Sequence, residues 1–522
     1  MKTPCDELAI PAGPAAPADP VRERWVLVVA VLGSGMAFID GTAVNLALPV
    51  LQREFAAGLA ELQWVVEGYI LFLSALLLVG GALGDRFGRR RVFALGILLF
   101  GLASALCGLA PSMEVLILAR AAQGIGGALL VPGSLALISA AIPPARRGPA
   151  VGLWGGLTSV FTAAGPVLGG WVIEQLSWRA VFFLNLPLAT LALVAVFARV
   201  AESRDPAAEG ALDWPGALLA TLGLGGVVTG LIAISTEGWT ALSVRLPLLV
   251  GGAALVAFFV VEARAPRPML PLALFRSPAF SGINLLTFLL YAALSGTLFF
   301  LPFTLMQVGG YSATAAGLAL LPFVLVMSLL SRWAGGLVSR YGARLLLVVG
   351  PLLTALGFVW LALPLGESYW WSIFPGMVVL GVGMGVTVPP LTTTVLNAVE
   401  QRHAGIASGV NNAVTRVAGL LAIALLSLLV ATVFTHELEQ RLEQLEVPAA
   451  VRTEVLAQRA SLAALPVPAA VPDRPALERA IAEAYLTGYR LALLSGALLA
   501  LAGAVVAAVF LPASAFPPAG ER

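Results

Sequence analysis

The stretch GIGGALLVPG, residues 124–133, returns in outline as GVGMGVTVPP at 381–390. At an offset of 257, Gly124, Gly126 and Pro132 fall on Gly381, Gly383 and Pro389. The same offset puts Gly148 on Gly405 and Gly152 on Gly409. A second pair, GALGDRFGRR at 81–90 and GGLVSRYGAR at 335–344, aligns Arg86, Gly88 and Arg90 with Arg340, Gly342 and Arg344. The chain is therefore built from two similar halves. Repeats of this kind in a membrane protein point to a transporter, with its substrate site near the midplane where the halves meet.

Composition puts the repeat in a bilayer. Of 522 residues, 59% are hydrophobic and 11% charged, where a soluble domain carries about 25% charged residues. A spanning helix needs about 20 mostly apolar residues, and fourteen such runs lie between residues 25 and 512. The expected fold is an all-α polytopic bundle of 14 transmembrane helices in two six-helix halves. Residues 1–24 read as a disordered cytoplasmic tail, 25–205 as the N-terminal half and 206–265 as an inserted helix pair. Residues 266–522 form the C-terminal half, with one long polar loop at about 433–485. The charged run THELEQRLEQLE reads as a short helix within that loop, which is expected to be a solvated cap.

Arginine placement sets the orientation. One set of short loops holds Arg86, Arg89, Arg90, Arg91, Arg146 and Arg147 among others, whereas the opposite short loops hold Arg53, Arg179 and Arg245. The positive-inside rule makes the first set, and both termini, cytoplasmic. A net charge of +2 says nothing about nucleic acid, and the basic residues are scattered arginines with no patch, so no nucleic-acid partner is expected. Cys5 and Cys107 form no disulfide or metal framework, and His403 and His436 fall on opposite membrane sides. No nucleotide-binding loop is present, so an enzyme, a metal site or an ATP-driven pump is not expected. The partners are the lipid bilayer, a small-molecule substrate and protons.

Four further stretches carry a family resemblance. GALGDRFGRRRVF resembles the loop motif of the major facilitator superfamily, and DGTAVNLALP resembles the first-helix motif of its fourteen-helix drug:proton antiporter branch. LARAAQGIGGALLVPGSLALI is similar to the fourth-helix motif, and TAAGPVLGGWVIEQLSWRAVFFLNLP to the fifth-helix antiporter motif. The resemblance implies a monomeric inner-membrane exporter that uses inward proton flow and no cofactor. It implies a cytoplasmic latch across the two halves at Gly84, Asp85, Arg86, Gly88, Arg89 and Arg90. In the second copy Ser339 replaces Asp85, which leaves the first copy as the latch. Gly165, Pro166, Gly169 and Gly170 would let the fifth helix bend or pack tightly.

Three charges lie inside the first half: Asp40, Glu67 and Arg120. A charge at the bilayer centre costs about 2.5–3.5 kcal/mol on insertion scales, and such residues usually pair or mark a proton path. At about 1.5 Å of rise per residue, all three sit in the outer half of the membrane, so they are expected to face one cavity. Asp40 reads as the main proton carrier and Arg120 as its modulator. The competing reading is a static ion pair. Glu67 is a second acid, a contact for a cationic substrate, or a residue snorkelling to the interface. Asn412 and Arg416 are four apart and share a helix face. With Asn45 and Gln123 they are candidates for lining the substrate cavity. The function expected is export of small hydrophobic or cationic compounds. An endogenous metabolite, siderophore or peptide-like cargo is the first alternative, and a non-transporting membrane sensor or scaffold the second.

Overall fold

The computed structural model describes residues 20–204, 212–266, 268–363, 368–400, 404–445, 447–468, 471 and 473–511. Most of the tail expected over 1–24 lies outside them. Fourteen helices among the described residues are long and apolar enough to cross a membrane. They are α1 (Pro20–Phe55), α2 (Leu59–Phe87), α3 (Arg89–Gly108), α4 (Met113–Ala141) and α5 (Pro144–Gln175). Then come α6 (Trp178–Arg199), α7 (Trp214–Glu237), α8 (Leu242–Arg264), α9 (Pro278–Val308) and α10 (Ala313–Tyr341). The last four are α11 (Ala343–Ala362), α12 (Tyr369–Asn397), α13 (Ala404–Gln444) and α14 (Arg474–Phe510).

The repeated glycines act as close-packing positions. A side chain at Gly126 would meet the backbone of Phe100 on α3, and one at Gly383 would meet Thr354 on α11. Each half thus joins its third and fourth helices through the same small-residue contact, which lets backbones approach in lipid. The inserted pair is welded similarly, with Gly226 of α7 against Gly251 of α8. Its α7 also touches both halves: Leu224, Val228 and Ile232 cluster with Leu71 of α2 and Leu420 of α13.

The loop at 433–485 differs from expectation. THELEQRLEQLE continues α13 to Gln444, because Phe434, Leu438 and Leu442 recur every four residues and are buried. Arg441 adds ion pairs to Glu437 at 3.6 Å and to Glu483 of α14. The rest of the loop is packed as well: Val451, Val455, Leu462 and Leu465 are buried in the main core. Apolar side chains every few residues made burial more favourable than a solvated cap.

The halves meet on the side away from the arginine-rich 84–91 loop. There a Cβ at Gly170 of α5 would collide with the Ala313 carbonyl of α10, and one at Gly317 with the Pro166 carbonyl. Glu174 accepts a hydrogen bond from the Thr314 backbone N–H at 3.0 Å. Gln307 donates to Gln52 at 2.8 Å, and Gln52 to the Ser461 carbonyl in the packed loop at 3.0 Å. Toward the arginine-rich side this flank parts. A side chain at Gly148, Gly152, Gly155 or Gly156 of α5 would meet nothing within 4 Å. The α2–α13 flank stays in touch there, Leu78 lying against Gly409.

Candidate functional site

Asp40 is fully buried and takes three donors. Arg120 Nη1 donates to Oδ2 at 2.5 Å. Gln123 Nε2 and Asn185 Nδ2 donate to Oδ1 at 2.9 and 3.2 Å. Arg120 also donates to the Val65 carbonyl at 3.0 Å and to Gln123 Oε1 at 2.6 Å. Its guanidinium lies 4.5 Å from the Tyr69 ring centroid, a cation–π contact. Ser104 of α3 accepts from Asn185 at 2.9 Å and donates to the Phe182 carbonyl at 2.8 Å.

These residues come from α1, α2, α3, α4 and α6. Arg120 and Gln123 are three apart on α4 and so reach the same carboxylate. Gln123, expected on the cavity wall, is drawn into this network because its amide both feeds Asp40 and receives Arg120. Asn185 and Ser104 were not singled out from sequence. Each is a small polar residue in an apolar run, which was the available signal.

Glu67 departs from the expectation of one shared cavity. On α2 it shares a face with Ala60, Trp64 and Leu71, which pack against α7 and α13. Val65 and Tyr69, which meet Arg120, are two residues away on either side and point to the opposite face. Glu67 does not snorkel: it is 0% exposed, and neither carboxyl oxygen has a hydrogen-bond partner among the described residues.

The loop motif is tied within its own half. Asp85 pairs with Arg89 at 2.8 Å, one helical turn on. Gly88 takes φ +109, where a side chain would be strained and would also strike Glu202. Glu202, just past α6, accepts from the Arg90 backbone N–H at 3.0 Å and lies 3.6 Å from Arg91. Asp85 makes no ion pair across the halves among the described residues. Gly84 lies against Arg89. Arg86 stacks its guanidinium 5.2 Å from the Phe87 ring.

Gly165 and Gly169 of α5 seat on Thr42 and Ala43 of α1, and Gly170 and Pro166 meet α10. The fifth-helix motif therefore forms the closed contact between halves.

The remaining candidates lie outside the Asp40 network. Asn45 is half-buried on α1, donating to the Gly41 carbonyl at 3.4 Å. Asn412 is exposed, and its amide donates to the Ser408 carbonyl at 3.0 Å. Arg416 is half-buried on α13.

Two six-helix halves closed at one end, parted at the other, and holding an ion pair within the bundle define a multi-pass transporter architecture. Residues 30–423 match the Major Facilitator Superfamily, and the chain belongs to that family. It is 36% identical over 493 residues to the multidrug resistance protein Stp of Mycobacterium tuberculosis (strain CDC 1551 / Oshkosh), covering 93% of this chain and 90% of the relative. It is 33% identical over 504 residues to the tetracenomycin C resistance and export protein of Streptomyces glaucescens, covering 95% and 94%. The inward-facing, unoccupied structure of a bacterial homolog of the human lysosomal transporter Spinster aligns over 94% of this chain and 98% of its own. The TM-score is 0.65 at 16% identity, a likeness of fold.

Proposed function

We propose that the chain is a proton-coupled exporter of small hydrophobic compounds, a drug efflux transporter of the cell (inner) membrane. It works as a monomer with both termini in the cytoplasm. The names of its relatives support the cargo class, and the arginine-rich loops support the orientation. On that orientation the described state is closed to the outside and parted toward the cytoplasm.

The observation that carries proton coupling is the Asp40–Arg120 pair, buried among five helices. A carboxylate against a guanidinium is stable ionised; parted from it in an apolar interior, the neutral acid is favoured. A helix movement that separates Asp40 from Arg120 therefore loads a proton, and their reunion expels it. The paired state seen here is the one after proton release, ready for substrate from the cytoplasm. Glu67 serves as a second acid. An unpartnered carboxyl in an apolar cluster is tolerated most cheaply when neutral, and sliding of α2 against α13 would change its surroundings.

The test is export from a host lacking its own pumps, with and without a protonophore. Gradient-dependent export is expected; export that persists once the gradient is collapsed would overturn the reading. The latch is tested separately. Asp85 holds Arg89 in this state, and its cross-half contact belongs to the outward-open state. Asp85→Asn is expected to favour the inward-open form further and to slow turnover several-fold, the scale of one charge-assisted contact of about 1 kcal/mol. Labels at the exposed Phe87 and Tyr341 report the separation; unchanged distances with normal turnover would remove the latch.

A further inference from the structure

We infer that the substrate carries an anionic group, a carboxylate or similar oxyanion on an apolar body, and that Arg416 binds it with Asn412 beside it. The inference rests on the export reading and deepens it by naming the charge of the cargo.

The argument is one of unbalanced charge. Arg416 lies about twelve residues into α13, or about 18 Å from its start, near the middle of the span. It makes no hydrogen bond or ion pair with any described residue. Every acid in reach is withheld. Asp40 is buried and already matched by Arg120. Glu67 is buried in the α2–α7–α13 cluster, and neither of its carboxyl oxygens bonds Arg416. The C-terminal half offers no counter-ion at this depth: α9, α10, α11 and α12 contain no Asp or Glu, and α13 has none before Glu437. Arg416 thus stands at this depth as a positive charge that no described acid compensates.

The local build aims that charge into the gap. Asn411 donates to Asn284 at 3.1 Å and to Thr287 at 2.8 Å on α9, which fixes the rotation of α13. Gly409 and Ala413 turn toward α2. Arg416 and Asn412 project between these two contacts, in the sector of α13 between α2 and α9. An intramembrane charge without a partner is a functional residue by default. A guanidinium fork matches a planar oxyanion with two parallel hydrogen bonds, and an ammonium-bearing ligand would meet repulsion instead.

The test uses one fluorophore in three charge states: dansyl-glycine, dansylamide and dansyl-cadaverine, which are anionic, neutral and cationic near neutral pH. Binding to the purified full-length protein is read by fluorescence enhancement. Dansyl-glycine is expected to bind best, and Arg416→Gln to weaken it about tenfold, the scale of one charge-assisted pair. Dansylamide should change less than about twofold, and Arg416→Lys, which keeps the charge and loses the fork, should bind dansyl-glycine between wild type and Arg416→Gln. Tighter binding of dansyl-cadaverine than of dansyl-glycine would overturn the inference. So would an equal loss of all three in Arg416→Gln, which would make Arg416 a structural residue. Transport is measured separately in inverted vesicles. Anion-selective binding without gradient-driven movement would strike the export reading and leave this one standing.

Discussion

Asp40→Asn is expected to abolish gradient-driven export while leaving an inserted, folded protein. The wild-type carboxylate accepts from Arg120, Gln123 and Asn185. An asparagine can keep its oxygen toward Arg120 and present its amide to Asn185. Asn185 Oδ1 is buried without a partner and can accept it. Arg120 keeps an oxygen acceptor, but the Gln123 amide loses the Oδ1 it donates to, and Arg120 loses its counter-charge. Removing one member of a buried pair costs about 3 kcal/mol, so the thermal midpoint should fall measurably. The double variant Asp40→Asn with Arg120→Gln decides between coupling and a static pair. With both charges gone, the uncompensated ion is gone too, and stability should largely return. If the pair merely holds helices together, the neutral double variant will pump normally. If Asp40 carries the proton, the double variant will be stable and will not export against a gradient. Normal gradient-driven export by that variant would sink the coupling role and leave Glu67 as the remaining acid.

Much of the architecture was legible because spanning length and hydropathy are local properties of a chain. Fourteen apolar runs became fourteen helices, and the repeated glycines became matching helix contacts. The Asp40–Arg120 pair was legible for a related reason: two isolated opposite charges at similar depth have few other partners. Helix rotation was not legible. Each residue turns about 100°, and the face of α2 that holds Glu67 is chosen by α7 and α13, elements distant in sequence. Gln123 was placed on the right helix face but assigned to the cavity, because nothing local shows that Asn185 and Ser104 close the network behind it. Glu202 was missed for a different reason. It lies beyond a helix end, where its pairing with the 88–91 loop depends on how α6 exits the bundle. The loop at 433–485 read as polar by its charges, yet its buried valines and leucines are spaced for packing.

The second large effect concerns the closed contact between halves. Gly170→Val is expected to trap the transporter open to the outside. At Gly170 even a Cβ would run into the Ala313 carbonyl on the opposite half, and backbone there has no rotamer with which to yield. Overpacking a tight contact costs about 1–3 kcal/mol. Here the cost falls only on the state in which α5 and α10 touch. It therefore shifts the balance between states by roughly tenfold to a hundredfold and need not unfold either half. Gly317→Val, which would strike the Pro166 carbonyl from the other side, should act in the same direction. Gly252→Val is the control, because a side chain there meets nothing within 4 Å. Labels at Leu176 and Trp370, both exposed on the closed end, should move apart in the two gate variants and stay put in the control. Turnover should fall with the separation, since a transporter that cannot close outside cannot reopen to the cytoplasm for the next substrate. A Gly170→Val protein with wild-type label distances and normal turnover would show that the α5–α10 contact is dispensable, and the gate would then have to lie in the Gln52–Gln307 bridge and the packed loop above it.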